Sequence, residues 1–312
     1  MKAKVLAVVG PTGSGKSAIA YQLAKKFDGE ILCVDSRTVY RGMDIGTGKD
    51  TGGRITNCDT NIRIYKYVEI NKIRYYGLDL VNPDEKMNGA LFKEYAEKII
   101  SEIIDRGHLP ILVGGTGLWM DMIIEDRELP EVGPDLKLRE ELENKSEDEL
   151  FEEYKKIDPV GAEIIDRKNK RRLIRALEVC KKTGRAFSEF LRGGKGNYDC
   201  LWLGVDWPME VLEKRINARV DDMVGLGLLD EVKKLKSQYG CGVYSMSGIG
   251  YQEICRHLDG EISFEKAIEE MKLRTRQYAK RQKTWFKRNK NIHWSTDVAE
   301  IEKLVGNWLD AM

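Results

Sequence analysis

Gly10-Pro11-Thr12-Gly13-Ser14-Gly15-Lys16-Ser17 follows a short β-branched run, Lys4–Val9, and opens a helix-like stretch from Lys16 to Phe27. These eight residues fit G-x-x-x-x-G-K-[ST]. Glycines let the backbone approach an anion closely, so successive N–H groups can wrap phosphate oxygens. Lys16 adds a charge, and the Ser17 hydroxyl can sit on Mg²⁺. A helix starting at Lys16 aims its positive dipole end at the same anion. Gly10 through Ser17 are therefore the candidate diphosphate- or nucleotide-binding residues, as in ATP-binding chains, with Ser17 the candidate metal ligand. A second apolar run, Glu30–Val34, closes on Asp35-Ser36. Strand, glycine-rich turn, helix and strand in that order open an α/β domain with a parallel sheet.

Working outward, Ile62–Tyr76 alternates apolar and polar residues around Asn71-Lys72 and reads as a hairpin within segment 50–80. Leu91–Asp105 reads as an amphipathic helix ended by Gly107 and Pro110. Leu109–Val113 is another buried strand, running into Gly114-Gly115-Thr116-Gly117. After Glu125 the composition changes: Pro130–Leu191 is highly charged and helical, with no convincing strand. A strand returns at Leu201–Val205. Helices follow at Met209–Met223, Leu228–Tyr239 and Phe264–Arg288, then a strand at Ile292–Trp294 and a last helix from Val298. The expected architecture is an α/β P-loop core over residues 1–124 and 198–312, interrupted by a helical insertion over 125–197.

The chain has 312 residues, 42% of them hydrophobic, enough for a real core. Its longest apolar runs are far short of the ~20 residues a membrane span needs, and Met1–Gly10 does not read as a secretory signal. With no coiled-coil pattern or large apolar stripe, a cytoplasmic monomer is expected. The six cysteines form no C-x-x-C pair and the three histidines lie far apart, so reduced thiols and no Cys/His metal site are expected. Net charge is only +1, from 52 Lys+Arg and 51 Asp+Glu, but the charges are segregated. Residues 271–290 hold nine Lys/Arg and no acid, and 166–175 add six more, while acids gather at 140–153. A neutral protein with a polyanion-binding surface looks like this.

ATPases and GTPases usually carry an acid at the end of a second strand to hold Mg²⁺. Ile111–Val113 instead runs into Gly-Gly-Thr-Gly, leaving Asp35 as the carboxylate expected across from the loop. A cradle of this kind suits a diphosphate leaving group better than ATP hydrolysis.

Further motifs carry a resemblance. Asp35-Ser36-Arg37-Thr38-Val39-Tyr40-Arg41-Gly42-Met43-Asp44-Ile45-Gly46-Thr47-Gly48-Lys49 resembles the D-S-x-Q-V-Y-R-x-[ML]-D-I-G-T-A-K segment of tRNA dimethylallyltransferases. Gly114–Trp119 is similar to their G-G-T-G-L-Y, and Arg171–Val179 to Q-R-[IL]-x-R-A-L-E-V. Ile249–Glu253 matches I-G-Y-[KR]-[EQ], and Thr275–Phe286 matches T-R-[RQ]-[YL]-A-K-R-Q-x-T-W. These blocks span almost the whole chain in order. Departures are Thr38 in place of Gln, the hairpin after Lys49, Tyr75-Tyr76 in place of a His pair, and Met87–Phe92 in place of Y-S-x-x-[DE]-F.

The resemblance implies transfer of a five-carbon group from dimethylallyl diphosphate to the exocyclic N6 amine of the adenosine 3′ of the anticodon, with Mg²⁺. Asp35 is then the proton acceptor that an aryl amine needs, and Thr116 lies beside the reacting centre. Arg215 and Arg219 stand at i,i+4 on one helix, and Arg219 is favoured as the further cation on the diphosphate. Asp35, Ser36, Arg37 and Thr38 would meet the target nucleotide together with Thr116. Arg139, Arg171, Arg172, Leu173, Ile174 and Arg175, and the loop Ser247, Gly248, Ile249, Gly250, Tyr251 and Gln252, would contact the anticodon stem-loop of tRNA. The basic helix adds Tyr278, Trp285 and Phe286 as stacking or core residues. Alternatives are a prenyltransferase acting on free adenine nucleotides, a P-loop small-molecule kinase, and a non-catalytic RNA-binding protein.

Overall fold

A computed structural model describes residues 2–49, 54–56, 67–70, 72–127, 130, 132–190, 193–194 and 196–311. The chain divides into two compact units, one of Met1–Met120 with Tyr198–Met312 and the other of Asp121–Asn197.

The first unit is built on one eight-stranded sheet. Its strands are β1 (Ala3–Val9), β2 (Gly29–Cys33), β3 (Arg54–Thr56), β4 (Tyr67–Ile70), β5 (Ile73–Tyr76), β6 (Leu109–Gly114), β7 (Tyr198–Gly204) and β8 (Ile292–Trp294). They lie in the order β3-β4-β5-β2-β6-β1-β7-β8. From β5 to β8 every pairing is parallel; β3 and β4 are added antiparallel at one edge. Val5–Val9 of β1 are fully buried without alternation, as a parallel strand covered on both faces requires. The register decides where function can sit. Val9 pairs with both Gly114 and Gly204, and Cys33 with Val113. The C-terminal ends of β1, β2, β6 and β7 are thus level, and the loops after them leave the same edge, where open α/β sheets bind ligands.

The hairpin is seen as β4 and β5, with Val68 facing Tyr75 and Ile70 facing Ile73. The first part of its expected range, Ile62–Lys66, lies outside the described residues. The third strand, β3, was not expected: three residues carry too little pattern to read. The long basic helix ends at Phe286 rather than Arg288.

The expectation of reduced cysteines is corrected. Cys241 and Cys255 form a disulfide, with Cα atoms 6.1 Å apart. A gap of 14 residues is no recognisable motif; the pair meets because the helix Tyr251–Leu258 folds back on the turn before Tyr244. Closing a loop of this length contributes about 3 kcal/mol in the chain-entropy account. Dithiothreitol should therefore lower the melting temperature by several degrees, and a Cys241→Ser, Cys255→Ser protein should melt at one temperature with or without it. An equal effect on both proteins would show that this bridge does not carry the stability.

The second unit is helical, with helices Leu136–Glu143, Glu147–Ile157, Pro159–Ile164, Lys170–Thr183 and Phe187–Phe190. Ser146 and Glu149 close a capping box at the start of the second of these. Leu142, Leu150, Tyr154, Leu173, Ile174 and Leu177 form its core. Two buried carboxylates organise it. Asp158 accepts from the Ser188 amide and hydroxyl, the Gly161 amide and the Tyr154 hydroxyl. Glu178, with no exposed surface, accepts from Arg139 twice, from Arg175 and from the Asp135 amide. Burial alone would raise the Glu178 carboxyl, but Arg139, that amide and Arg175 hold it at about 2.

Candidate active site

The loop after β1 is braced from outside. The Ser14 carbonyl accepts from the Trp207 indole at 2.9 Å, and the Gly13 carbonyl from Arg215 Nε at 2.7 Å. The Thr12 amide donates to Gln282 Oε1 at 2.8 Å. The backbone N–H groups of Gly13, Gly15, Lys16 and Ser17 have no acceptor among the described residues, which leaves a nest of donors at a helix N-terminus. Gly10 and Pro11 are buried beneath it, and the Ser14 hydroxyl is buried without a partner.

Two cations face this nest. Among the described residues, Lys16 Nζ has one hydrogen bond, to the Pro11 carbonyl at 3.3 Å. Burial, then the charge of Arg219, lower its pKa to about 8, against smaller opposing pulls from Asp35 and Cys33. Arg219, from the helix Met209–Gly225, donates to the Gly48 carbonyl at 3.3 Å. Burial lowers its pKa, and Asp35 counteracts this. Gly48 leaves room for that path: a Cβ there would stand 1.7 Å from Arg219 Nη2 and push the guanidinium aside, and φ is +64°, which strains any other residue. Neither Lys16 nor Arg219 has an ion pair among the described residues. Arg215, one turn earlier, is spent on the loop and stacks over Trp207 at 5.5 Å. Two adjacent cations that repel one another and have no ion pair among the described residues have the electrostatics of a candidate polyanion site.

Asp35 leaves the end of β2 as a half-buried carboxylate. Its Oδ1 accepts the Arg37 amide at 2.8 Å, so one oxygen shapes the turn. The Ser36 amide donates to Thr116 Oγ1 at 3.1 Å, drawing the β2 and β6 loops together. The Tyr278 hydroxyl is hydrogen-bonded to Thr116, and burial, then the charge of Asp35, push its pKa up. Arg37 reaches the Tyr244 and Ser245 carbonyls at 3.1 and 3.0 Å and Ser247 Oγ at 3.3 Å. Thr38 Oγ1 lies 3.5 Å from the Asp35 carbonyl.

The rest of the Asp35–Lys49 segment holds the site in place. Glu231 accepts the amides of Asp44, Ile45 and Gly46 and the Tyr251 hydroxyl. Lys49, almost wholly buried, pairs with Asp44 and Asp79.

Asp206 is a second strand-end carboxylate beside the loop, which the sequence reading missed. It is paired with Lys283 at 2.9 Å. That pairing makes it a poor metal ligand, and no cluster of three His, Cys, Asp or Glu exists among the described residues. The donors present fit Mg²⁺ only as the partner of a diphosphate, with the exposed Ser17 hydroxyl at hand.

The residues expected at RNA divide sharply. Arg171 and Arg172 are exposed on the helix Lys170–Thr183, with no carboxylate partner among the described residues. Leu173 and Ile174 are 0% and 4% exposed; their expected contact with RNA is corrected, because they form the core beneath that helix. Arg139 and Arg175 both pair with Glu178, and 39% and 34% of their side-chain surface stays exposed. In the loop, Ser247 and Gln252 are exposed, Ile249 is half-buried, and Gly248, Gly250 and Tyr251 are buried. Tyr251 is an anchor on Glu231 rather than an RNA contact. In the basic helix Lys272, Arg274 and Lys283 are paired with acids, and Arg276 with Asn217. Phe286 is core, and Trp285 is half-buried against Gly117.

An IPP transferase family model matches residues 38–289. A tRNA dimethylallyltransferase of Oceanobacillus iheyensis is 38% identical over 300 residues, covering 94% of this chain and 91% of the relative. The solved tRNA isopentenylpyrophosphate transferase of Bacillus halodurans superposes with a TM-score of 0.71 at 37% identity, covering 99% and 97% of the two chains. A eukaryotic dimethylallyltransferase, solved acting on tRNA, gives a TM-score of 0.75 at 30% identity, covering 99% of this chain and 78% of its own.

Proposed function

Since this chain belongs to the tRNA dimethylallyltransferase family, we propose how its own residues carry the transfer. The dimethylallyl group of dimethylallyl diphosphate passes to the exocyclic N6 of the adenosine 3′ of the anticodon. The carrying observation is the convergence of Lys16, Arg219, Asp35 and Thr116 at one end of the sheet, with the two cations unpaired.

The loop amides, Lys16 and Arg219 bind the diphosphate. The adenine leaves its stack to reach Asp35, beside Ser36, Thr38 and Thr116. N6 bonds to the allylic carbon as that carbon's bond to the diphosphate oxygen breaks. The N6 proton goes to the Asp35 carboxylate. Charge gathers on the departing diphosphate, so the loop and both cations stabilise the transition state more than the ground state. When Mg²⁺ is bound, the Ser17 hydroxyl would hold it, and it would supply further neutralisation of the diphosphate leaving group. Arg171, Arg172, Ser247 and Gln252 meet the tRNA, and a tRNA substrate puts the reaction in the cytoplasm. No helix among the described residues is long and apolar enough to cross a membrane.

The test is incubation with Mg²⁺, labelled dimethylallyl diphosphate and either an A-rich anticodon stem-loop or AMP, with nucleosides resolved by mass. A prenyl mass on the stem-loop adenosine alone is expected. Label on AMP would overturn the RNA acceptor, and label on neither would overturn the transfer.

Arg171→Ala and Arg172→Ala should each weaken tRNA binding and reduce the slope of log K against log salt by about 1. Binding titrations between about 50 and 200 mM salt check this. An unchanged slope would remove both residues from the phosphate contacts. Arg175→Ala should instead lower thermal stability, because it uncovers the buried Glu178 charge.

A further inference from the structure

We propose that Gln282 is a positioning residue: it ties the phosphate loop to the turn carrying Thr116, so that a diphosphate held by the loop fixes Thr116 and Asp35 for transfer. This inference rests on the transfer reading above.

Gln282 is 5% exposed and uses both ends of its amide. Oε1 accepts the Thr12 amide at 2.8 Å, 270 residues away in sequence, and Nε2 donates to the Gly115 carbonyl at 2.9 Å. The orientation is forced, since a backbone N–H can only donate and a backbone carbonyl can only accept. Room for it comes from Gly115, where a Cβ would stand 2.0 Å from Nε2. One turn earlier on the same helix face, Tyr278 bonds Thr116, which in turn accepts the Ser36 amide next to Asp35. The chain of contacts runs from Thr12 through Gln282 and Gly115 to Thr116 and Ser36. Thr12 is thereby turned to Gln282, and the nest is left to Gly13, Gly15, Lys16 and Ser17. A brace that only stabilised the fold would have no reason to join the two loops that hold the leaving group and the acceptor's partner.

Two substitutions separate positioning from support. Gln282→Met keeps the volume and loses both bonds. Gln282→Glu keeps the acceptor for Thr12 but sets a carboxylate against the Gly115 carbonyl; once protonated it donates there and restores both bonds. Hydrogen exchange is followed with and without inorganic pyrophosphate and Mg²⁺. In the wild type, pyrophosphate should slow exchange in Gly10–Ser17 and also in Gly114–Trp119. In Gln282→Met the first protection should persist and the second vanish.

In single turnover the transfer rate of Gln282→Met should fall by about 10–100-fold, as a misplaced reacting group costs. Its Kd values for pyrophosphate and stem-loop should stay within about threefold. The Gln282→Glu rate, as a ratio to wild type, should rise as pH falls. Undiminished protection of Gly114–Trp119 in Gln282→Met, or a single-turnover rate within about twofold of wild type, would overturn the proposal. If Gln282→Met does not fold, the exchange comparison is made on Gln282→Glu above neutral pH, with the same two outcomes. Wild-type protein that transfers nothing would sink the transfer reading, while the exchange experiment would still decide the coupling.

Discussion

Asp35→Asn should cut the transfer rate by about 10²–10⁴-fold, the range a positioned general base supplies, while tRNA affinity stays within about threefold. Asparagine keeps an oxygen where Oδ1 accepts the Arg37 amide, so the turn survives and the melting temperature should not move. On the proposed mechanism, what goes is the group that takes the N6 proton. A second consequence has the opposite sign. Asp35 lies in the field of Lys16 and Arg219, and its charge opposes an incoming diphosphate. Removing that charge should leave dimethylallyl diphosphate bound equally well or more tightly. Slow transfer with tight donor binding is the signature of a lost base; slow transfer with weakened donor binding would mean that Asp35 organises the anion site instead. Single-turnover rates and donor titrations on the same variant distinguish them.

The parts of this site that the sequence reveals are those whose chemistry is local. Gly10–Gly15 folds as a loop and Lys16-Ser17 open the helix after it because eight adjacent residues demand it, and Asp35 stands at a strand end because the apolar run before it stops there. The choice between Arg215 and Arg219 was open on helical spacing alone; Gly13 and Trp207 claim the first and leave the second facing Lys16. What the sequence hides is partnership across distance. Arg139 and Arg175 read in sequence as phosphate ligands alone, and their pairing with Glu178, buried between them, is invisible there. Leu173 and Ile174 lie inside an RNA-like motif but on the wrong side of its helix. Gln282 sat in a quoted motif with no visible role, because its partners are 270 and 167 residues away. One signal pointed to it: a glutamine inside a run of cations, on the face that also carries Ala279 and Phe286, has no solvated reason to be there.

Lys16→Met should abolish most transfer, because on the proposed mechanism the charge that it removes acts on the leaving group itself. Loss of one preorganised donor to developing charge costs about 10²–10³-fold. The pH dependence identifies the residue. Burial, then Arg219, hold the Lys16 pKa at about 8, whereas a bound diphosphate favours the charged form and raises it. Binding therefore takes up a proton above pH 8. Donor affinity should be flat below that pH as far as Lys16 is concerned, and should weaken by up to about tenfold per pH unit above it. Lys16→Arg should flatten the alkaline limb even if its bulk lowers the rate, because a guanidinium does not titrate there. An alkaline limb that persists in Lys16→Arg would assign it to another group.

The same pKa has a stability consequence of opposite direction. The unfolded chain holds the Lys16 proton up to about pH 10.5 and the folded chain only to about 8. Between those values the unfolded state binds more protons, so folding stability gains as pH rises through the window, and below 8 the full penalty of the buried charge is present. Lys16→Met should accordingly be more stable than the wild type at neutral pH and lose that advantage towards pH 10. A protein that becomes sturdier as it loses its activity is what the proposed mechanism requires of two cations with no ion pair among the described residues, since on that reading the diphosphate is their counter-charge.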